Sequence, residues 1–353
     1  MKIKILFLQL ALSLILLASC GSLQTQPQDA SGENQAAEDD LYLPFTQSGA
    51  QVAEGFETSI GYSITGSRVY TVSKRLSVIN DGPGQPEKQN LWVALIIDQP
   101  PFQTVDSATI TPAEYRLITD EYGNRYAEFD LADLPAGAQA EIEFHYQVTV
   151  NELAFELDPC QGKLPDIYTQ AELHIEADNP QIQELSAQLS AGQGNACQAA
   201  RAIYNYVAEN LDYNYNGANW GAQAALGEMG ADCTEYASLQ IALSRAAGIP
   251  ARYVEGLYFG SEDQDASVRT EHAWLEVYLP ENGWTPMDPT LGRTPLNRAR
   301  YFAGYAPDHI IVIRGRSPST LRGDSYWTHL YWPGDSTQIH VVDHDWQITP
   351  STR

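Results

Sequence analysis

Alternation of apolar and polar positions dominates the first half of the chain. Ile142, Phe144, Tyr146, Val148 and Val150 occupy every second position between residues 140 and 150, with polar residues between them. A period of two puts each set on its own face of a strand. Val69-Tyr70-Thr71-Val72 is largely β-branched, and Arg75-Leu76-Ser77-Val78-Ile79 alternates. Leu91-Trp92-Val93-Ala94-Leu95-Ile96-Ile97 is apolar throughout, as expected of a strand covered on both faces. Turn clusters punctuate these runs. Asn80-Asp81-Gly82-Pro83-Gly84 follows one, and Glu121-Tyr122-Gly123-Asn124 precedes another at residues 125–129. Short strands separated by turns predict a β-sandwich over residues 41–157.

The period changes after Pro159. Residues 180–189 and 196–211 read as helices; in the second, Ile203, Tyr206, Val207 and Leu211 recur at helical spacing. A longer helix follows Asp232, with Leu239, Leu243 and Ala246 as its buried stripe and Gly248 and Pro250 as its stop. Strands return at 252–258, 272–279 and 284–287, and the tail adds apolar runs at 310–313, 326–332 and 338–342. The predicted class is α+β. An N-terminal β-sandwich domain of Ig-like type precedes a second domain at 158–353. There a helix carrying a cysteine packs on an antiparallel sheet, and the C-terminal extension is rich in strand. No internal repeat is present.

The N-terminus follows a different rule. Lys2 and Lys4 precede an apolar run at residues 5–17, and Ala18 and Ser19 are small. The run is too short for a spanning helix, which needs about 20 apolar residues. Leu17-Ala18-Ser19-Cys20 resembles a bacterial lipoprotein cleavage box. The resemblance implies that residues 1–19 are a signal peptide and that Cys20 becomes the lipidated first residue. Residues 21–40, rich in Gln, Ser, Ala, Asp and Glu and without an aromatic, read with Cys20 as a disordered tether at 20–40. The expected location is extracytoplasmic, on a bacterial membrane held through the lipid alone.

Charge narrows the function. Losing Lys2 and Lys4 with the signal peptide takes the formal charge from −25 to −27. So acidic a body excludes nucleic acid as an expected partner, because that binding needs a concentrated basic footprint.

The candidate chemistry lies at Gly230-Ala231-Asp232-Cys233-Thr234-Glu235. Asp232 is a good N-cap, and Glu235 completes a capping-box pattern. Cys233 then takes the first helical position, where free N–H groups and the helix dipole favour an anion. A lowered thiol pKa is expected there, opposed by Asp232 and Glu235, so a histidine partner is required. His272 begins an alternating strand in which Ala273, Leu275, Val277 and Leu279 face one way and His272, Trp274, Glu276 and Tyr278 the other. Its place near a loop lets a base reach solvent and substrate. Asp288 ends the next strand and could orient the imidazole. A tight turn at residues 280–283 would set Asp288 opposite Leu275, three residues short of His272, so a bulge or shifted register is needed. Arg252, Trp274 and Trp284 read as structural. His309, His329, His340 and His344 show no metal-ligand spacing, and no cofactor is implied.

These segments together resemble the transglutaminase-like superfamily, whose chemistry is that of papain-like cysteine enzymes. The resemblance rests on Asp232-Cys233 with Tyr236-Ala237, the stretch at 242–252, His272-Ala273-Trp274-Leu275-Glu276-Val277, and Gly283-Trp284 with Asp288-Pro289-Thr290. It covers residues 197–292. It implies a catalytic set of Cys233 as nucleophile, His272 as base and Asp288 as orienting acid, behind a β-sandwich of the kind common in bacterial members. Trp220 is its candidate for the oxyanion position. With Cys20 given to lipid and Cys233 to chemistry, Cys160 and Cys197 remain as a candidate disulfide, or as two separate buried thiols. The implied activity is thiol-dependent acyl transfer on amide bonds through a thioester, either peptidase or amidase with water as acceptor or transglutaminase with an amine. The expected partner is a protein or peptide amide of the cell envelope. The alternative is a non-catalytic module binding an envelope peptide or polymer in the same groove. Oligomeric state is not specified by the sequence.

Overall fold

The computed structural model describes residues 61–86, 89–215, 220–227, 230–260, 270–315, 329–332 and 339–351. The cleavage box, Cys20 and the tether lie outside the described residues.

The N-terminal alternation builds two long antiparallel partners. β1 (Tyr62–Asn80) pairs along its length with β6 (Gln139–Phe155). The expected strands at 69–72 and 75–79 are one strand, because Ser73 and Lys74 continue the alternation between them. Lys74 is tolerated inside because its ammonium meets the Asp343 carboxylate and lies 5.1 Å from the Trp346 ring centre. β2 (Asn90–Ala94) pairs with β5 (Arg125–Asp130), and all but its first residue are buried, as the unbroken apolar run required. Two strands carry little sequence signal, β3 (Gln103–Thr111) on β6 and β4 (Arg116–Thr119) on β5. Each bonds one neighbour and is mostly exposed, so packing does not impose a period on it.

Four helices or turns of helix carry the middle of the chain. α1 (Pro180–Ser190) is capped by Asn179 with proline in its first turn. α2 (Ala196–Asn210) is capped by Asn195 and buries Ile203, Tyr204 and Val207. A disulfide joins Cys197, at the start of α2, to Cys160, with Cα atoms 6.2 Å apart. α3 (Ala222–Ala225) is one turn, and α4 (Cys233–Ala246) is the cysteine-bearing helix.

A third sheet follows, formed by β7 (Ala251–Tyr258), β8 (Glu271–Leu279), β9 (Gly283–Met287) and β11 (His309–Arg314). Its order is β11-β7-β8-β9, antiparallel throughout. Ala273, Leu275, Val277 and Leu279 of β8 share a core with α2 and α4. Trp274, on the opposite face, joins Val254, Leu257 and Ile310 in the core of the N-terminal strands. The sheet is therefore covered on both faces, and the expectation that His272 stands open to solvent is corrected: it is 3% exposed.

The tail returns to the beginning. β10 (Gly304–Tyr305) pairs with β6, β12 (His329–Trp332) with β2, and β13 (Ile339–Asp343) and β14 (Gln347–Pro350) both with β1. Strands from the two ends of the chain thus share the six-stranded and four-stranded sheets that back the third sheet.

Candidate active site

The cap written into the sequence positions the cysteine. Asp232 Oδ1 accepts the Thr234 N–H at 2.9 Å, and Glu235 Oε2 accepts the Asp232 N–H at 3.1 Å. These reciprocal bonds start α4 at Cys233. Glu235 is fully buried, and burial together with the Asp232 charge pushes its carboxyl up to about 7.

Cys233 lies half-buried in a cleft of about 200 Å³, lined by Tyr213, Tyr215, Asp232, Glu255, Glu271 and His272 among others. The thiol is pushed up, chiefly by burial and then by the charge of Asp232; the Ala273 backbone N–H, hydrogen-bonded to the sulfur, opposes them. This corrects the expected lowering. Burial and the capping carboxylate both disfavour the thiolate at this helix terminus.

His272, on the same cleft, is held from behind by Asp288. His272 Nε2 donates to Asp288 Oδ2 at 2.7 Å, while His272 Nδ1 is buried with no hydrogen-bond partner. A proton on Nε2 makes Nδ1 the acceptor of the neutral ring. Asp288 caps the single turn α5 (Pro289–Gly292), where Oδ1 accepts the Leu291 N–H at 3.0 Å. Burial alone would raise this carboxyl; His272 and His309 overcome it and hold Asp288 well below the usual carboxylate range.

The approach of His272 and Asp288 needs no bulge between β8 and β9. Leu275 pairs with Met287, so the next step sets Asp288 opposite Trp274, one residue from the expected register. His272 is then two residues away on the same face. Such a diagonal pair has Cβ atoms about 7–8 Å apart, within reach of an imidazole and a carboxylate.

Sequence reasoning passed over His309. Its Nε2 lies 3.1 Å from Asp288 Oδ2 and its Nδ1 2.7 Å from Asp308 Oδ1. A glycine makes this approach possible. Gly256 of β7 faces His272, and a Cβ there would sit 2.0 Å from the Ile310 carbonyl oxygen and 2.8 Å from Trp274 Cη2. The bare backbone lets the Trp274 indole lie across β7 and meet the His309 ring edge-on at 4.8 Å. Asp308-His309 directly before an apolar strand was the available signal; searching for metal spacing missed it. His272, Asp288 and His309 do offer ligand-type atoms within 4.8 Å of one another. Both imidazole Nε2 atoms point at one carboxylate oxygen, so these atoms are engaged in hydrogen bonds with each other.

The structure does not bring every candidate together. Trp220 is 56% exposed, its ring edge-on to His174 at 5.9 Å, and it is not among the residues lining the cleft. Arg252 holds Glu276 and lies over the Trp284 ring at 4.1 Å, a structural placement.

Comparison with known proteins follows the same residues. Residues 183–289 match the transglutaminase-like superfamily, so the chain carries a domain of that superfamily. The match takes in Cys233, His272 and Asp288 and ends before His309. The uncharacterized protein YebA of Bacillus subtilis is 26% identical over 175 residues, which cover 42% of this chain and 24% of YebA. A protein-glutamine gamma-glutamyltransferase of Pseudomonas aeruginosa is 42% identical over 69 residues, 18% of this chain and 10% of that enzyme. The chain thus spans a quarter or less of either relative. In three dimensions it is similar to a candidate cysteine protease of Cytophaga hutchinsonii, with a TM-score of 0.58 at 16% identity, covering 82% of this chain and 92% of that one. At that identity the likeness is one of fold. Among the described residues no helix is long and apolar enough to cross a membrane.

Proposed function

We propose that this protein is an extracytoplasmic, lipid-anchored enzyme that transfers acyl groups from amides through a thioester on Cys233. One observation carries the reading. His272 is fixed on Asp288 through Nε2, its Nδ1 is left without a partner, and its ring shares a cleft with the one free cysteine among the described residues. The motif at Cys20 supports the anchor. We read the N-terminal strands as a sandwich of Ig-like type that stiffens the back of the catalytic sheet, supported by the core they share with Trp274 and Ile310.

This geometry supports the following steps. The Cys233 proton passes to His272 Nδ1 as sulfur attacks the amide carbonyl carbon. The N–H at the first position of α4 has no acceptor within the helix and is available to the developing oxyanion. His272 then gives its proton to the departing amine, and the thioester remains on Cys233. Water or a second amine attacks the thioester, His272 takes the incoming proton, and the thiol is restored. Asp288 keeps its charge throughout and stabilises the imidazolium. Asp232, Glu255 and Glu271 in the lining favour substrates with positive charge beside the reacting amide. The relationship to a gamma-glutamyltransferase supports an amine as acceptor; the fold shared with a candidate cysteine protease supports water.

The full-length protein incubated with a glutamine-rich protein and a labelled primary amine should either incorporate the label or generate new N-termini, and the Cys233→Ser protein should do neither. Equal turnover by the Cys233→Ser protein would overturn the proposal. Retention of the substrate without turnover would instead support the binding-module alternative.

A further inference from the structure

We infer that His309, backed by Asp308, is a positioning residue of this site: a doubly protonated imidazole that holds the same Asp288 oxygen as His272 and restrains the basicity of His272. The inference rests on the proposed role of His272 as base.

Donor counting leads to it. Both His309 ring nitrogens face carboxylate oxygens, Nδ1 at 2.7 Å from Asp308 and Nε2 at 3.1 Å from Asp288. A carboxylate only accepts, and a neutral imidazole has one N–H, so a neutral ring would set a lone pair against a carboxylate. Protonating either acid would spoil other bonds. Asp288 already accepts from His272 and from the Leu291 N–H. Asp308 accepts the Tyr301 hydroxyl at 3.0 Å and lies 3.7 Å from the Arg300 guanidinium. The remaining groups facing His309 are Tyr258 of β7, His272 and Trp274 of β8, and Tyr301 and Tyr305 from the segment before β11. Tyr305 donates its hydroxyl to the His309 carbonyl at 2.9 Å. The charged groups bonded to the ring are thus the two carboxylates, with Arg300 beside Asp308. Burial alone would depress the imidazole, yet the two carboxylates hold it up at about 9.

The arrangement divides one oxygen between two histidines. Asp288 Oδ2 serves the base on one side and a fixed cation on the other, so His272 feels a partly compensated charge. A fully uncompensated Asp288 would stabilise the His272 imidazolium and delay return of its proton to the leaving amine. His309 therefore sets how long the imidazolium persists, without touching substrate.

Two measurements on the full chain test this. Imidazole nitrogen resonances, with His309 identified by their loss in His309→Gln, should report both nitrogens protonated at pH 7; a neutral tautomer there would overturn the inference. The second is the pH dependence of Cys233 alkylation by iodoacetamide in wild type, His309→Gln, Asp308→Asn, Asp288→Asn and His272→Gln. His309→Gln should move the acid limb up by about one pH unit, because His272 becomes more basic. Asp308→Asn should move it the same way by less, and serves if His309→Gln fails to fold. Asp288→Asn should move it the opposite way. Limbs that coincide with wild type in His309→Gln and Asp308→Asn, while His272→Gln differs, would refute the inference alone. A His272→Gln profile equal to wild type would instead refute the proposed role of His272.

Discussion

Two buried carboxylates, one in the third sheet and one just past β9, are each held by two basic side chains. Glu276 of β8 is held by Arg252 at 2.6 Å and by Arg314 at 3.0 Å. Asp288 at the end of β9 is held by His272 at 2.7 Å and His309 at 3.1 Å. Burial alone would raise both acids, and the flanking partners lower both. The difference is in the partners. Arginine keeps its charge at any ordinary pH, so the Glu276 group is locked. Arg314 also bonds Asn124 through its backbone and so ties β11 to the N-terminal strands. The Asp288 group is made of imidazoles, whose charge can change, and one imidazole nitrogen has been left unused. The same electrostatic solution thus locks architecture in one place and holds a pair of titratable rings in the other.

Exchanging these roles should fail in measurable ways. The largest expected effect is at His272. His272→Gln should lower turnover by roughly 10²–10⁴-fold, the usual contribution of a general acid–base group, measured by single-turnover kinetics. Next is Glu276→Gln, which leaves two buried guanidiniums short of a counter-charge. It should lower unfolding free energy by about 3–5 kcal/mol in denaturant titrations, yet leave the pH limb of Cys233 alkylation in place. Asp288→Asn should lower turnover on the order of 10²-fold, less than the loss of the base, since it removes orientation and leaves the imidazole.

The smallest effect is in pH-dependent stability, and its sign follows from His309. Its folded value of about 9 lies above the ordinary 6.5, so its stabilisation is complete below about pH 6.5 and is lost as pH rises through 9. The difference in unfolding free energy between wild type and His309→Gln should shrink by about 1–3 kcal/mol over that window. The corresponding difference for Glu276→Gln should stay flat, because arginine does not titrate there.

Much of this was legible in the sequence. The Asp232–Glu235 cap, the α4 stripe and the alternation of β6 and β8 are local patterns, and each determines a local geometry. Three things were not local. The β11 register shifts between Ile311 and Ile313, so His309 and Arg314, five residues apart, point to the same face; strict alternation puts them on opposite faces. Burial of His272 depends on rings brought in from other strands, Tyr258 of β7 and His309 of β11. The direction of the thiol shift depends on how deeply Cys233 sits beside Asp232, and a dipole argument holds no information about desolvation.

The central claim is that Cys233 forms an acyl intermediate with His272 as its base. Its most direct test is a pre-steady-state reaction of the full-length protein with p-nitrophenyl acetate, followed by peptide mass mapping. The account predicts a burst of one nitrophenolate per chain, with the acetyl group on the peptide containing Cys233, and a strongly slowed burst in His272→Gln. A burst of equal size and rate in Cys233→Ser, or an acetyl group found on another residue, would contradict it.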